Sequence, residues 1–399
     1  MRHGSATTLI ATWMTVAAGF SGPLDPPQAP LSTPGPEPRI AVNTLNTPGD
    51  SNAAHVISQS GSYYLEDNVV VLADVVGILI TVGDVTLDLN GFRVEHMSPP
   101  TPPPMVGTNV LPPSTMTGVR VSPDGPAVEN IIVRNGIIHG WGSSGLSTFH
   151  ASGALIESII AQGNGGFGIQ TGFGTVVKSC IARENSTGIT TRGASSILDC
   201  FVGDNGSNGI TSGSDNVVSR TTADRNGGFG IVLNGGSSAL DCTSSDNTLG
   251  GYRVFGGCIV SDSTAHFNDG PGIEVFGGSA TIVNCNSNFN LGDGICVSGD
   301  CRVVGNTSSS NGRGNQTNVS GILVDGSDNH IVDNTVTDST RGIDVDGTGN
   351  LIVRNSVSGA TVAYAINAGN AFGPLIVVTG DGDISNTAGS GHPQANFTY

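Results

Sequence analysis

Three aspartates near the C-terminal end of the chain are spaced so that they could act together. Asp325 lies four residues after Gly321, while Asp344 and Asp346 lie two and four residues after Gly342. If each glycine opens the same strand in successive repeats, the three side chains point outward from one face, with Asp325 and Asp346 about 4.8 Å apart. Such a trio could bind Ca²⁺, which prefers several oxygen ligands. Two of the carboxylates could instead serve as acid and base on a glycosidic bond, and a solvated acidic surface is the third interpretation.

The elements that would position these residues are repeats of about 21 residues. Apolar residues alternate with polar ones over short runs that Gly, Asn, Asp and Ser interrupt, which predicts strands and turns rather than helices. Because a unit of this length cannot bury its own apolar face, stacked units must share one core. The sequence therefore predicts an all-β fold, a single-stranded parallel β-helix of about 12 coils. The regular repeats begin at Gly168, Gly188, Gly209, Gly230, Gly251, Gly272, Gly294, Gly321 and Gly342.

Two further columns support stacking. Asparagine recurs three or four residues before the glycines, as at Asn226 and Asn247. Stacked asparagines can pass amide hydrogen bonds from coil to coil, and asparagine tolerates the left-handed backbone of a turn. Cysteines share another column, which predicts a small buried residue, although a disulfide between neighbouring coils, such as Cys180 with Cys200, is an alternative in a secreted protein.

The Gly-Ile pair at each coil start, the asparagine turn and the 21-residue spacing resemble the right-handed parallel β-helix proteins of the pectin-lyase-like superfamily, above all the NosD-type repeats. The resemblance covers residues 60 to 365. It implies right-handed coils and a protein that contacts extracellular polysaccharide, and the pectin-degrading members carry an aspartate cluster on this exposed sheet. Their catalytic signatures are not matched residue by residue here.

Two hypotheses about function follow. In the first, the protein binds or cleaves polysaccharide at Asp325, Asp344 and Asp346, as a lyase or glycoside hydrolase, with Ca²⁺ as the only cofactor considered. Phe173, Phe255 and Phe276 could form an apolar stripe for sugars beside that site or could pack in the core. In the second hypothesis, the protein is a non-catalytic extracellular scaffold or adhesin-like rod, since the short, even coils leave few loops to build a groove.

Composition limits the partners. The chain has 399 residues, a formal net charge of −17 and a single lysine. Nucleic-acid binding requires a basic surface, so we expect no nucleic-acid partner. The eight histidines are scattered, and no copper site is predicted because copper requires clustered His, Cys and Met. The sequence does not indicate an oligomeric state.

The domain organisation follows from shifts in composition. Residues 1–20 carry a short basic start and an apolar run, which predicts a signal peptide and an extracellular or periplasmic location. The apolar run is too short for a transmembrane helix. Proline-rich residues 21–39 predict a tether, residues 40–76 an N-terminal cap with the first strands, and residues 77–364 the β-helix. A proline-rich loop interrupts the helix at 98–117, and residues 365–399 are predicted to form a C-terminal cap.

Overall fold

The computed structural model describes residues 39–97, 116–122, 128–314, 316–378 and 384–399, all within one compact unit, Arg39–Tyr399. The predicted signal peptide, nearly all of the tether and most of the loop at 98–117 lie outside the described residues. Within the described residues, the only helix is a short 3₁₀ turn, Ile384–Asn386. None of them forms a helix long and apolar enough to cross a membrane.

Sheet 1 is a ladder of parallel strands, one from each coil except the coil that contributes both Val119–Val121 and Val128–Glu129. Ile189, Ile210, Ile231 and Tyr252 lie in register on four successive coils. The pairing is parallel throughout because each strand repeats the previous one after a full turn of the chain. The 15 strands of sheet 1 are Ala53–Ile57, Val76–Ile80, Val119–Val121, Val128–Glu129, Leu146–Ser152, Phe167–Phe173, Thr187–Thr190, Ile210–Thr211, Phe229–Leu233, Gly250–Val254, Ile273–Val275, Ile295–Val297, Ser320–Val324, Arg341–Val345 and Val362–Ile366.

Sheet 2 completes each coil, usually with two short strands separated by a bend. All of its strand pairs are parallel as well, as between Val176–Lys178 and Ser196–Leu198. The 28 strands of sheet 2 are Ile40–Ala41, Gly61–Tyr64, Val69–Val71, Val85–Asp88, Arg93–His96, Ile131–His139, Leu155–Gln162, Val176–Lys178, Ile181–Arg183, Ser196–Leu198, Phe201–Gly203, Val217–Ser219, Thr222–Asp224, Ser238–Leu240, Thr243–Ser245, Ile259–Ser261, Thr264–His266, Thr281–Val283, Asn286–Asn288, Arg302–Val304, Thr307–Ser309, His330–Val332, Thr335–Thr337, Leu351–Val353, Ser356–Ser358, Ala371–Phe372, Leu375–Val377 and Asn396–Thr398.

The predicted parallel β-helix is confirmed, but the stack is longer than about 12 coils. Fourteen coils contribute a strand to the main path of sheet 1, and sheet 2 continues beyond the last of them. The two coils missed by the sequence pattern are the end coils. They carry Ala54 and Ala363 where the others have the column glycine, as their register with Gly77 and Gly342 shows. A count based on glycine therefore stopped one coil short at each end.

Three left-handed bends turn the chain within a typical coil. In one coil they are Ala194, Asp199 and Asp204, with φ of 54°, 53° and 55°. Each bend is followed by a buried polar or cysteine residue that points into the coil corner, such as Ser195 or Asn205. The ladder asparagines do not use their tolerance of the left-handed conformation, because the residue before each of them turns the chain.

The buried asparagines form a continuous hydrogen-bonded ladder, as predicted. Each side-chain amide donates to the carbonyl oxygen of the asparagine on the next coil, so none of these buried polar groups lacks a partner. The Nδ2-to-Oδ1 distances are 2.9, 3.2, 2.9, 3.0, 2.9, 2.9 and 3.0 Å along Asn164, Asn185, Asn205, Asn226, Asn247, Asn268, Asn290 and Asn311. Shorter ladders fill the other two corners, at Asn306, Asn334, Asn355 and Asn396 and at Asn329, Asn350 and Asn370.

The cysteine column occupies the same kind of corner. Cys242 and Cys285 are buried, and each thiol donates to a carbonyl of the preceding coil, Val218 at 3.5 Å and Val260 at 3.4 Å. All seven cysteines are free, so the alternative of a Cys180–Cys200 disulfide is not realised. The column is a set of small side chains inside the core.

Candidate functional site

The outer face of sheet 1 is built by the alternation of side chains along each strand. In Ser320–Val324, Ile322 and Val324 point into the core with no exposure. The column glycine also faces inward, because a Cβ on Gly294 would lie 2.0 Å from Ser308 Oγ and 2.6 Å from Asn311 Nδ2. The outward positions are therefore the residue before the glycine and the second and fourth residues after it.

The structure places Asp325 and Asp346 at the fourth position of adjacent coils, where both are exposed. The backbone confirms this register, because Asp346 N donates to Val324 O at 2.9 Å. These two aspartates therefore lie on one surface, as the sequence predicted. Their chemical role remains a prediction.

Asp344 has a different environment. Its side chain is only 6% exposed, and its Oδ2 lies 2.6 Å from Arg341 Nη1. Ser320 Oγ donates to the same oxygen at 3.4 Å. Asp344 therefore forms an ion pair with Arg341, and this carboxylate oxygen is not free to bind a cation.

The predicted calcium trio is not assembled as a metal cage. Among the described residues, which include all three aspartates, no group of three or more His, Cys, Asp or Glu side chains is placed to hold a metal ion. A Ca²⁺ ion requires six to eight oxygen ligands, and Asp344 already gives one carboxylate oxygen to Arg341 and Ser320. A role of Asp325, Asp344 and Asp346 in binding Ca²⁺ stays a prediction.

Asp293 joins these aspartates, although the sequence analysis did not select it. Its carboxylate accepts a hydrogen bond from Ser320 N at 2.7 Å. Burial raises the pKa of Asp293, and the nearby charges of Asp344 and Asp325 raise it further. Asp293 comes directly before Gly294 and so occupies the outward position that precedes the column glycine. Simple alternation of side chains along the strand does not predict this position, because it would place Gly294 outward and Asp293 inward. We call Asp293, Asp325, Asp344 and Asp346 the acidic cluster.

Cys296 lies beside the acidic cluster on the same outer face. It is in register with Glu274 on one side and Leu323 on the other. Burial, followed by the charges of Asp293, Asp325 and Glu274, raises the pKa of its thiol to about 12. A thiol with so high a pKa is not a nucleophile near neutral pH.

Two arginine–phenylalanine clusters continue the face toward the N-terminal end. In the Arg253 cluster, the guanidinium carbon lies 5.1, 5.9 and 5.1 Å from the ring centroids of Phe229, Phe255 and Phe276. Its Nε lies 3.6 Å from Glu274 Oε2, on the adjacent coil. Phe276 is 56% exposed, so Phe255 and Phe276 lie on the outer surface rather than in the core.

The Arg192 cluster repeats this arrangement three coils away. The guanidinium carbon of Arg192 lies 3.9 Å from the ring centroid of Phe149 and 5.0 Å from that of Phe173. No carboxylate of the described residues forms an ion pair with Arg192. Three steps of a parallel ladder separate the two arginines by about 14 Å. Trp141, by contrast, is fully buried and donates from Nε1 to Val94 O at 3.0 Å.

The comparisons identify the family. The model of the right-handed beta helix region matches residues 117–259 and 253–389, which together exceed half of the chain. The chain belongs to the right-handed β-helix family. This match confirms the handedness that the resemblance implied. No curated protein matches the chain in sequence.

Solved structures show how widely this β-helix fold is shared. The periplasmic alginate epimerase AlgG is 11% identical, with a TM-score of 0.50 over 83% of this chain and 80% of that one. The A-module of a mannuronan C-5 epimerase from Azotobacter vinelandii is 14% identical, with a TM-score of 0.39 over 90% and 87%. The Dettilon tailspike is 15% identical, with a TM-score of 0.44, and this chain spans 59% of its length while 79% of this chain is covered. At such identities the likeness concerns the fold alone.

The β-helix thus presents one rigid outer face with three different zones in a line. The Arg192 cluster and the Arg253 cluster combine flat apolar rings with cationic groups, and the acidic cluster follows. Aromatic rings can pack against the apolar faces of a ligand, while guanidinium groups and carboxylates can hydrogen-bond to its hydroxyls. The arrangement suits an elongated ligand that has apolar faces and many hydroxyl groups.

Proposed function

We propose that the protein is secreted and binds an extended polysaccharide along the outer face of sheet 1. The observation that carries the proposal is the alignment of the Arg192 cluster, the Arg253 cluster and the acidic cluster on that face. A polysaccharide chain offers a sugar every few ångströms along a line, and so does a stack of coils with a rise of about 4.8 Å. AlgG, which shares the fold, is a periplasmic alginate epimerase, and alginate is a polysaccharide.

The acidic cluster is the candidate for chemistry on the bound chain. Asp293 is partly buried and its pKa is raised, whereas Asp325 on the next coil is exposed. Two carboxyl groups in such different environments can divide the roles of general acid and general base. We assign Asp293 as the candidate acid and Asp325 as the candidate base, with Asp344 held by Arg341 in a positioning role.

A non-catalytic rod is the second candidate function. The coil spacing is 20 to 22 residues from Gly168 to Gly294, so turns in this region are too short to build walls beside sheet 1. Binding without cleavage would need only the two arginine–phenylalanine clusters. The two candidate functions therefore differ in whether the acidic cluster is required.

The test combines binding and product analysis. Purified protein is incubated with neutral and acidic polysaccharides, and both retention and the release of reducing ends or unsaturated products are measured. We expect Arg192→Ala and Phe276→Ala to weaken binding at least tenfold, whereas Arg302→Ala, an exposed arginine of sheet 2, leaves binding unchanged.

Asp293→Asn and Asp325→Ala then separate the candidates. Loss of product with retained binding supports catalysis at the acidic cluster. Binding without any product in the unmodified protein supports the non-catalytic rod, and absence of binding to every polysaccharide overturns the proposal. Secretion is tested separately by N-terminal sequencing of protein recovered outside the cytoplasm, which is expected to start near residue 21.

A further inference from the structure

Two phenylalanines outside sheet 1 occupy a backbone conformation that suits neither of them. Phe267 and Phe289 both have φ of 57°, in the left-handed region that a bulky side chain enters only under strain. They are the left-handed bend residues of consecutive coils, at the end of strands Thr264–His266 and Asn286–Asn288. Other coils place Gly163, Glu184, Asp204, Arg225, Asp246 or Ser310 in this column, so the two phenylalanines are the aromatic members of a column that otherwise holds polar residues or glycine.

The two rings form an exposed stacked pair. Their centroids are 5.3 Å apart and their planes differ by 10°. Phe267 is 39% exposed and Phe289 is 45% exposed. The neighbours of the pair in the column, Asp246 and Ser310, carry no ring that could extend the stack. Strained backbone combined with exposed aromatic surface points to selection for a contact rather than for stability.

Polar atoms without partners lie directly beside the rings. His266 and Asn288 are in register on adjacent coils, and each precedes one of the phenylalanines. Nδ1 of His266 and Oδ1 of Asn288 are shielded from solvent and have no hydrogen-bond partner among the described residues. Most buried polar atoms are paired. Two unpaired atoms on adjacent coils, an imidazole nitrogen and an amide oxygen, therefore indicate that a ligand supplies their hydrogen-bonding partner.

Arg313 completes a surface patch that also contains Phe267, Phe289, His266 and Asn288. Arg313 projects back so that its guanidinium carbon lies 5.5 Å from the Phe267 ring centroid, and Nη2 donates to Phe267 O at 3.4 Å. Nη2 also lies 3.5 Å from Asp269 Oδ1. With Asp246 and Asp269 at its border and only Arg313 as a cation, the patch does not favour an anionic ligand.

We propose that Phe267 and Phe289, with His266, Asn288 and Arg313, form a second glycan-binding site that takes a neutral sugar unit. A sugar ring has an apolar face of C–H bonds that packs on an aromatic ring, and its hydroxyls both donate and accept hydrogen bonds. A sugar packed on the rings can pair with His266 Nδ1 and Asn288 Oδ1 once these side chains turn toward it, because both atoms are shielded from solvent in the unbound protein. The site lies on the sheet 2 side of the coil and does not depend on the proposed binding along sheet 1.

The test uses asparagine, which tolerates the left-handed backbone. The double variant Phe267→Asn and Phe289→Asn is expected to raise Tm and to lose the second site, whereas Asp246→Asn in the same column keeps it. Binding is measured by calorimetry with hexasaccharides of α-1,3-, α-1,4-, β-1,3- and β-1,4-linked glucan and of alginate. All variants are made both in the unmodified protein and in a Phe276→Ala, Arg192→Ala background, in which binding along sheet 1 is expected to be weakened at least tenfold.

The expected result is binding of a neutral glucan in that background, reduced at least tenfold by the double asparagine variant and not by Asp246→Asn. Equal binding by the double variant, or binding of alginate alone, overturns the proposal. Absence of glucan binding in the background also overturns it, whatever the unmodified protein binds along sheet 1. If the unmodified protein sediments as a dimer and the double variant as a monomer, with no glucan bound, the patch is an interface between copies and the glycan proposal is wrong.

Discussion

Asn226 donates from Nδ2 to Asn247 Oδ1 at 3.0 Å, and the backbone N–H of Asn226 donates to the same oxygen at 3.0 Å. Asn247 in turn donates to Asn268 Oδ1 at 2.9 Å. One side chain thus satisfies two donors of the preceding coil and one acceptor of the next. Because each asparagine inside the ladder accepts from one neighbouring coil and donates to the other, the ladder joins successive coils by side-chain hydrogen bonds.

Replacement of one ladder residue should be costly. Asn247→Ala leaves the backbone N–H of Asn226 buried without its acceptor and removes the hydrogen bonds that join the side chain of Asn247 to those of Asn226 and Asn268. Asn226 Nδ2 keeps Val202 O, and Asn268 Oδ1 keeps the backbone N–H of residue 247. An unsatisfied buried group costs roughly 1–3 kcal/mol and a lost hydrogen bond about 1 kcal/mol, so we expect a loss of about 2–4 kcal/mol in the free energy of unfolding, measured by urea denaturation. Thr248→Ala, at the exposed next position, is the control and should change it by less than about 0.5 kcal/mol. Equal effects of the two changes would contradict the ladder's role.

In the regular coils, where the asparagine ladder runs beside it, the column glycine should tolerate no side chain. A Cβ on Gly230 would lie 1.9 Å from Ser244 Oγ and 2.6 Å from Asn247 Nδ2, whereas a Cβ on Gly235 would approach nothing closer than 3.8 Å. We expect Gly230→Ala to destabilise the protein by about 1–3 kcal/mol, as overpacking does, and Gly235→Ala to be nearly neutral. Thermal unfolding of both variants measures the difference. A stable Gly230→Ala protein would show that the Gly column has another cause.

The ion pair of Arg341 and Asp344 should matter more than an exposed pair. Arg341→Met removes the partner of a carboxylate that is 6% exposed, and an unpaired buried charge is strongly destabilising. The matched control is Arg354→Met, which breaks a pair whose members are 42% and 46% exposed and should have little effect. We expect Tm to fall by several degrees in the first variant only. A similar fall in both would mean that the arginine stems, not the charges, stabilise the fold.

Asp293 should make stability depend on pH. Its pKa is raised in the folded protein, so its contribution to stability is fully present below the unfolded pKa and is lost as pH rises through the folded pKa. Asp293→Asn keeps the acceptor for Ser320 N without the charge, and should therefore raise Tm at pH 8 but not at pH 4.

The control for this pH dependence has the opposite sign. Arg354 lowers the pKa of Asp333 through a hydrogen bond, so the contribution of Asp333 is present above its unfolded pKa and is lost as pH falls through the folded pKa. Asp333→Asn should therefore lower Tm at pH 8, though slightly because the residue is exposed. An Asp293→Asn variant that is less stable at pH 8 would contradict a raised pKa of Asp293 in the folded protein.

The cysteines should behave as buried thiols. Burial raises the pKa of Cys242 to about 11 and that of Cys285 to about 12, so few thiolates exist near pH 8. We expect almost no reaction with a thiol reagent in the folded protein and seven reactive thiols after unfolding without reductant. Five reactive thiols would instead indicate a disulfide, with Cys180 and Cys200 as the first pair to examine.

Much of the fold followed from the repeat itself. The regular glycine spacing and the asparagine column predicted the stacked coils and the adjacency of Asp325 and Asp346. The end coils escaped notice because Ala54 and Ala363 replace the column glycine there. The residues that form the left-handed bends could not be identified from the sequence, since a repeat shows which residue recurs but not which of two neighbours turns the chain.

The candidate site was only half predicted, for a physical reason. Asp325 and Asp346 lie four residues after their column glycines, whereas Asp293 lies directly before Gly294. A Cβ on Gly294 would point inward against the asparagine ladder. This breaks the simple alternation and turns Asp293 outward. Likewise, only the packing of Arg341 against Asp344 decides that one aspartate of the predicted trio is buried and paired.

The amino-acid sequence by itself therefore determined the architecture, because repeats of about 21 residues can bury their apolar side chains only by stacking on one another. It also determined which residues share a column, since columns are set by counting along the chain. The tertiary structure alone decided which neighbours meet across columns. The Arg253 cluster, the environment of Asp293 and the strained pair of Phe267 and Phe289 all depend on side-chain direction and burial, and neither quantity is periodic.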